Sequence, residues 1–332
     1  MKLASLVLTM LRYRVASLLL PFFLLAPAVH GALGSFRWSY VAGIVALCAS
    51  YVVATCLNDV FDLEVDRINH PTAPDRPLVS GSASPRQLLL IAAALALTAL
   101  VASAATGWLG PAVIVASLGL NVAYSVPPVR LCARPVPAPL VLGIAYAGLP
   151  YGLGLSASGA TPGWQDARLV ACFVLLMAGR MLLKDFRDLR GDRAFGKRTF
   201  LLAYGKKATL IAVLACVLAG DALLVTSLGG DAVLIAVVES YFVVVLFQLY
   251  RLGQAPEVRA ERVAIALGAR MGNAVVLTTL GFFVLEAAGA AADERVVFVL
   301  VLAATFWGTF WYLASGLREL PGAASASAST TA

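Results

Sequence analysis

Ten stretches of 18 to 22 mostly apolar residues dominate the chain, at approximately 15–32, 37–57, 87–107, 109–126, 136–156, 167–184, 207–228, 231–250, 271–288 and 295–316. Each is close to the roughly 20 residues that a helix needs to cross the hydrocarbon of a bilayer. The 332 residues are 61% hydrophobic and only 13% charged, well away from the balance of a soluble domain. The sequence therefore predicts an all-α, polytopic membrane bundle forming one domain over 1–318. The Ala- and Ser-rich end, 319–332, reads as a disordered tail.

The net charge of +7 does not point to nucleic acid, because of where it lies. With the N-terminus inside, 21 of the 25 Lys and Arg residues fall in inside segments and three (Arg37, Arg168, Arg295) outside, with Arg180 within a span. That asymmetry is the positive-inside signature, so the basic excess records topology. The five cysteines show no paired metal spacing, and four sit in or beside apolar runs as small hydrophobes; no disulfides are expected. Lys2, Arg12 and Arg14 followed by an apolar run mimic a signal peptide, but a second span begins within a few residues, so the first is read as retained. Residues 1–14 read as a short interfacial helix, and Leu20-Pro21 predicts a kink in the first span.

Two acidic stretches stand out on the inside face. The first, Asn58 to Asp66, reads NDVFDLEVD, and the second, Lys184 to Asp192, reads KDFRDLRGD. Each continues an apolar run. At about 100° per helical residue, Asp59, Asp62 and Asp66 lie within roughly 60° of one another, as do Asp185, Asp188 and Asp192. With Glu64, these stretches hold seven of the 18 acidic residues, and Asp75 lies nearby. Asp is costly within a membrane helix, by about 3 kcal/mol at its centre. Oxygen-only, carboxylate-rich clusters suit Mg²⁺, which is commonly bound by a few carboxylates together with substrate phosphates. After the first stretch, about 20 residues rich in Pro, Gly and Ser carry Arg67, Arg76 and Arg86. So long a loop is functional or disordered, and its arginines favour a lid. The fifth apolar run contains Gly143, Gly148, Gly152 and Gly154, permitting close helix approach or local unwinding. Acidic stretches at the ends of runs two and six are compatible with an old duplication, although no repeat is visible.

These blocks resemble the UbiA superfamily of intramembrane aromatic prenyltransferases. Asn58-Asp59-x-x-Asp62-x-x-x-Asp66 matches its first acidic pattern, and Arg76-Pro77-Leu78-x-x-Gly81, with Asp75 before it, matches the following loop. Tyr124-Ser125-x-Pro127-Pro128-x-Arg130-Leu131 matches its Y-S-x-P-P-x-R-L, and Lys184-Asp185-x-x-Asp188-x-x-Gly191-Asp192, with Gly196 and Thr199, matches the second. Cys132 departs from the pattern, standing where a Lys often follows. Members typically have nine spans against the ten runs here, so the resemblance implies a bundle of nine or ten transmembrane helices around a central cavity open to lipid.

The resemblance further implies a prenyltransferase that moves a prenyl group from a prenyl diphosphate to a lipophilic, aromatic or other nucleophilic acceptor among membrane lipid. Asp59, Asp62, Asp66, Asp185, Asp188 and Asp192 would be catalytic. Mg²⁺ would be held by Asn58, Asp62, Asp66, Asp188 and Asp192, and the donor by Asn58, Arg67, Arg76, Tyr124, Arg130 and Lys184. The expected setting is the cytoplasmic side of a bacterial plasma membrane. A membrane terpene cyclase is the alternative within the family. A cation transporter is the alternative outside it, although transporter acids belong near the midplane.

Four features fall outside the motifs. Asp221 and Glu239 are intramembrane acids, functional or else protonated and hydrogen-bonded between helices. Arg180 lies a turn before Lys184, snorkelling to the interface or reaching a phosphate. His70 reads as solvated. Phe306, Trp307, Phe310, Trp311 and Tyr312 read as an interfacial aromatic belt.

Overall fold

The computed structural model describes residues 3–71, 76–256 and 258–319, so Lys2, Asp75 and the tail beyond Glu319 lie outside the described residues. The helices are α1 (Leu3–Leu11), α2 (Tyr13–Ala16), α3 (Leu19–Val29), α4 (Trp38–Phe61), α5 (Leu63–Asn69), α6 (Pro85–Ala104) and α7 (Leu109–Ser125). They continue with α8 (Pro137–Gly143), α9 (Leu149–Ser158), α10 (Trp164–Ala194), α11 (Phe200–Val225), α12 (Ala232–Gln254), α13 (Val258–Ala287) and α14 (Ala292–Glu319). No strand occurs among the described residues. Each of the ten apolar runs falls on one of these helices or on a pair of them. Among the described residues, seven segments are long and apolar enough to cross a membrane by length and composition: α4, α6, α8 with α9, α11, α12, α13 and α14. Their outward faces carry exposed Leu97, Val101, Ile211, Leu218 and Leu300, as a bundle solvated by lipid rather than water requires.

The first run is broken where its proline dictates. Pro21 has no N–H to offer the carbonyl of Ser17, four residues back, and the helix is interrupted at Ser17 and Leu18 between α2 and α3. The segment expected to lie on the membrane surface instead packs inward. Leu6 and Met10 join a buried cluster with Val52, Val53, Cys56 and Leu57 of α4 and Leu88 and Ile91 of α6, and the Thr55 hydroxyl donates to the Met10 carbonyl at 2.8 Å. Arg12 turns the chain in the left-handed region (φ 44°), which sends its side chain back towards the end of α4.

The glycine-rich fifth run meets both expectations made of it. It loosens into a π-helical turn over Ile144–Gly148, and its glycines admit backbone contact. A Cβ on Gly154 would stand 1.9 Å from the Phe23 carbonyl oxygen, and one on Gly143 2.5 Å from that of Val174. The second acidic stretch sits on one unbroken helix, because α10 runs 31 residues. The first does not. The helix stops at Phe61, Asp62 occupies the junction, and α5 restarts at Leu63.

Gly154→Ala is expected to lower stability by about 2 kcal/mol or more, since backbone cannot give way as a side chain does. Gly152→Ala, whose added Cβ would meet Val113 Cγ2 at an ordinary 3.5 Å, should stay within about 0.5 kcal/mol of wild type. Unfolding midpoints of the two variants in one detergent check the contrast.

Candidate active site

Breaking the helix at Asp62 lets α5 lean across and pack on α10. Asn69, at the end of α5, accepts a hydrogen bond from the backbone N–H of Gly191 at 2.7 Å. A Cβ on Gly191 would lie 2.7 Å from the Asn69 side chain, so the glycine of the second acidic stretch is the seat for the first. This contact brings Asn58, Asp62 and Asp66 together with Lys184, Asp185, Asp188 and Asp192 around one small polar cleft, with Tyr124 in its wall.

The carboxylates are buried and compensated. Asp59, Asp62, Asp66, Asp188 and Asp192 are all at most 9% exposed. Both oxygens of Asp59 accept from Arg12 Nη2, at 2.6 and 2.7 Å. Arg76 Nη1 donates to Asp59 Oδ1 at 2.6 Å and also to Asp66 Oδ2. Asp62 takes Arg130 Nη2 at 2.7 Å and Lys197 Nζ at 2.8 Å, with Asn58 Nδ2 at 3.1 Å. Asp188 is flanked by Arg187 Nε at 2.9 Å, His70 Nε2 at 3.6 Å and Lys184 Nζ at 3.7 Å. Lys197 Nζ also lies 3.6 Å from Asp192, so one ammonium spans the two acidic stretches.

The two junction carboxyls respond oppositely. Burial pushes Asp66 up to about 6, against the pull of Arg76. Asp62 is held below the usual carboxylate range, because Lys197 and Arg130 together outweigh its burial. Lys197 is raised despite burial, by Asp62 before any other group.

Three of the expected residues do not line the cleft: Arg67, Asp59 and Arg130, the last reaching it only through its hydrogen bond to Asp62. Arg67 lies on the exposed face of α5, bound to Glu64 at 2.6 Å, because a helix that turns Asp66 inward rotates its neighbour about 100° away. Asp59 is occupied by Arg12 and Arg76 and lines neither cavity. The bend at Asp62 separates it from the arc it would share on a straight helix. Conversely, Arg12, Asn69, Arg187 and Lys197 belong to the site although the motif reading passed over them, and His70, expected to be solvated, is half-buried beside Asp188. A signal existed for two of them. Asn69 and His70 stand three and four residues after Asp66, the spacing of one helix face.

Beyond the cleft opens a central cavity of about 970 Å³. Arg12, Asn58, His70, Arg76, Lys184 and Arg187 crowd one end, and Phe22, Tyr51, Tyr146, Phe173, Val217 and Leu249 line its apolar body. Asp221 and Glu239 neighbour one another on α11 and α12 and do not line it.

The donors here are carboxylate, amide and phenol oxygens, the hard ligands that Mg²⁺ selects. Among the described residues no three His, Cys, Asp or Glu groups converge as a metal site.

The chain belongs to the UbiA prenyltransferase family, which it matches over residues 18–271. It is 33% identical over 177 residues to the bacteriochlorophyll synthase 33 kDa chain of Rhodobacter capsulatus, covering 52% of this chain and 57% of that protein. To a digeranylgeranylglyceryl phosphate synthase of Natronomonas pharaonis it is 31% identical over 185 residues, 55% of this chain and 62% of that one. The chain thus aligns with little more than half the length of these relatives. Its fold is shared with a solved digeranylgeranylglyceryl phosphate synthase structure (TM-score 0.66, 18% identity, 86% of this chain and 99% of that one). It is shared also with a UbiA homologue from Archaeoglobus fulgidus bound to DMAPP and Mg²⁺ (TM-score 0.54, 20% identity, 93% and 99%).

Removing Arg12 takes from the buried Asp59 one of its two arginine partners and leaves it Arg76. Arg12→Ala should therefore cost about 3 kcal/mol, and adding Asp59→Asn on top should recover part of that loss. Denaturant unfolding of the single and double variants checks it; a double variant no more stable than Arg12→Ala would mean that Asp59 is not the dependent charge.

Proposed function

We propose that the chain transfers a prenyl group from a prenyl diphosphate to a nucleophilic acceptor within the membrane. The observation that carries this reading is the union, at one end of a long apolar cavity, of two acidic stretches and a ring of Arg and Lys. A diphosphate needs the polar end and an isoprenoid tail needs the apolar one. The basic ends of the helices surround the same cleft, which argues for a cytoplasmic active site by the positive-inside rule; a bacterial plasma membrane is the setting we favour. Acids gathered at one end of the cavity, rather than along its middle, speak against an ion path.

Asn58, Asp62, Asp66, Asp188 and Asp192 would hold Mg²⁺, with Asp185 in reach of the same cleft; when bound, the ion supplies charge stabilisation to the departing diphosphate. The protein's own groups do the rest. Arg76, Arg130, Lys184 and Lys197 orient the diphosphate oxygens and offset their charge, and Tyr124 offers a hydroxyl hydrogen bond. The allylic C–O bond breaks with its electron pair leaving on diphosphate, whose developing charge these fixed cations stabilise. The acceptor's electron pair then forms the new bond to the first prenyl carbon, and the acceptor loses a proton. Phe22, Tyr51, Tyr146 and Phe173 keep water from the cation. Asp59 acts at one remove, positioning Arg76.

Asp62→Ala and Asp188→Ala should each reduce diphosphate release from a prenyl diphosphate by about 100-fold or more while the unfolding transition is retained. Arg67→Ala should stay within about a factor of two, as exposed ion pairs contribute little. Chelation with EDTA should abolish release and Mg²⁺ should restore it. Full turnover in EDTA, or in either Asp variant, would overturn the reading.

A further inference from the structure

The segment that carries Lys197 into the cleft has a second face, turned outward. It runs from the last turns of α10 through the connecting loop into α11, and bends at two glycines with positive φ, Gly196 (65°) and Gly205 (79°). On its inward side Lys197 pairs with Asp62 and Asp192, and Thr199 and Leu201 are buried. On its outward side Arg190, Arg193, Arg198 and Lys207 are all exposed. Among the described residues no carboxylate lies within ion-pairing distance of any of these four, whereas the adjacent Lys206 is taken by Glu261 at 2.7 Å. No Asp or Glu occurs between Asp192 and Asp221, and Asp192 itself lines the cleft.

The same face is aromatic as well as basic. Phe195 is 50% exposed and Tyr204 54%, and the Tyr204 ring packs on Phe200 with centroids 4.7 Å apart. Depth decides what these groups meet. α10 runs on past Lys184 to Ala194, about 15 Å of helix, and α11 then brings the chain back. Lys207 lies one turn from Ile211, which is 58% exposed on the lipid-facing side of the bundle. Cations on a segment that returns to the hydrocarbon boundary lie within a screening length, roughly 8 Å, of the lipid phosphates. Aromatic rings and long basic side chains both favour that interface. A soluble acidic partner would have to share the Tyr204 and Lys207 end of the face with the bilayer.

We propose that this outward face is a docking surface for the headgroups of anionic phospholipids in the adjoining leaflet. Arg190, Arg193, Arg198 and Lys207 recognise them by charge, and Phe195 and Tyr204 seat the segment at the interface. The lipid is not consumed, since it meets the side of the segment that faces away from the carboxylates. Held to the bilayer in this way, the segment keeps Lys197 between Asp62 and Asp192. The four outward cations are thus positioning residues that act through Lys197.

The test uses the full chain in nanodiscs of neutral phosphatidylcholine, or of phosphatidylcholine mixed with anionic phosphatidylglycerol. Amide hydrogen exchange over residues 195–207 is read by mass spectrometry, which needs no turnover. Exchange should slow by about threefold or more in the anionic bilayer and return to the neutral-bilayer rate at high salt. Replacing Arg190, Arg193, Arg198 and Lys207 together by Gln should abolish the difference, with the unfolding midpoint retained because none of the four is paired. Arg86→Gln, which removes an exposed cation at the start of α6, should leave the difference in place.

A second readout rests on the prenyl-transfer reading and follows Lys197. The fourfold Gln variant should bind geranylgeranyl diphosphate with Mg²⁺ about threefold or more weakly than wild type in the anionic bilayer, and equally in the neutral one. Equal exchange of wild type in the two bilayers, or slowing that survives the four substitutions, overturns the docking surface. Stronger protection by soluble polyglutamate in the neutral bilayer than by the anionic lipid also overturns it, by assigning the face to an acidic protein. Equal weakening of the diphosphate in both bilayers overturns the link through Lys197. Failure of wild type to bind the diphosphate in either bilayer instead sinks the prenyl-transfer reading, while the exchange result still decides the docking surface.

Discussion

Charge compensation beneath the membrane surface is the constraint that the structure answers to. Asp59, Asp62, Asp66, Asp188 and Asp192 are buried together, and an unpaired buried carboxylate would cost several kcal/mol. Asp188 is flanked by Lys184 and Arg187 of its own helix and by His70, while the partners of the other four come from four separate segments. Arg12 arrives from the N-terminal turn, Arg76 from the loop before α6, Arg130 from the turn after α7 and Lys197 from the loop after α10. Each pair therefore ties a connecting segment to the ends of α4, α5 and α10. The same contacts that make the acids tolerable also close the polar end of the central cavity.

This arrangement leaves the cations doubly employed. Arg76, Arg130 and Lys197 neutralise carboxylates in the structure as it stands, and under the proposed function they are the groups nearest to hand for a diphosphate. A bound diphosphate would compete with the carboxylates for them, freeing carboxylate oxygens for a divalent ion. The site is thus poised between two charge-balanced arrangements, with Lys197 bridging Asp62 and Asp192 where the acidic stretches meet. Arg180 stands apart from that exchange, because its partner is a neutral amide.

Much of the architecture was readable from residue order. Runs of 18 to 22 apolar residues specify helices because hydrocarbon leaves the backbone no other partner than itself, and Pro21 and the glycines of the fifth run announced a break and close contacts. The two acidic stretches announced themselves by their 3.6-residue spacing. The departures lie where the helical period stops. The bend at Asp62 removed Asp59 from the cleft, and nothing in NDVFDLEVD marks that bend; Arg67 points outward because it is one helical step past the inward Asp66. Arg12 and Lys197 are far from the first acidic stretch in sequence, and only tertiary packing of α1 on α4 and of α5 on α10 brings them to it. Asn69 and His70 obey the helix spacing after Asp66 and were recoverable from it.

The central claim is that both acidic stretches serve one diphosphate. An experimental structure of the full chain in lipid, with a non-hydrolysable prenyl thiodiphosphate and Mg²⁺, tests it most directly. The account predicts the diphosphate between α5 and the end of α10, within reach of Arg130 and Lys197, with its tail in the apolar cavity. A diphosphate bound elsewhere, or Asp62 and Asp188 on opposite flanks with packed side chains between them, would contradict it.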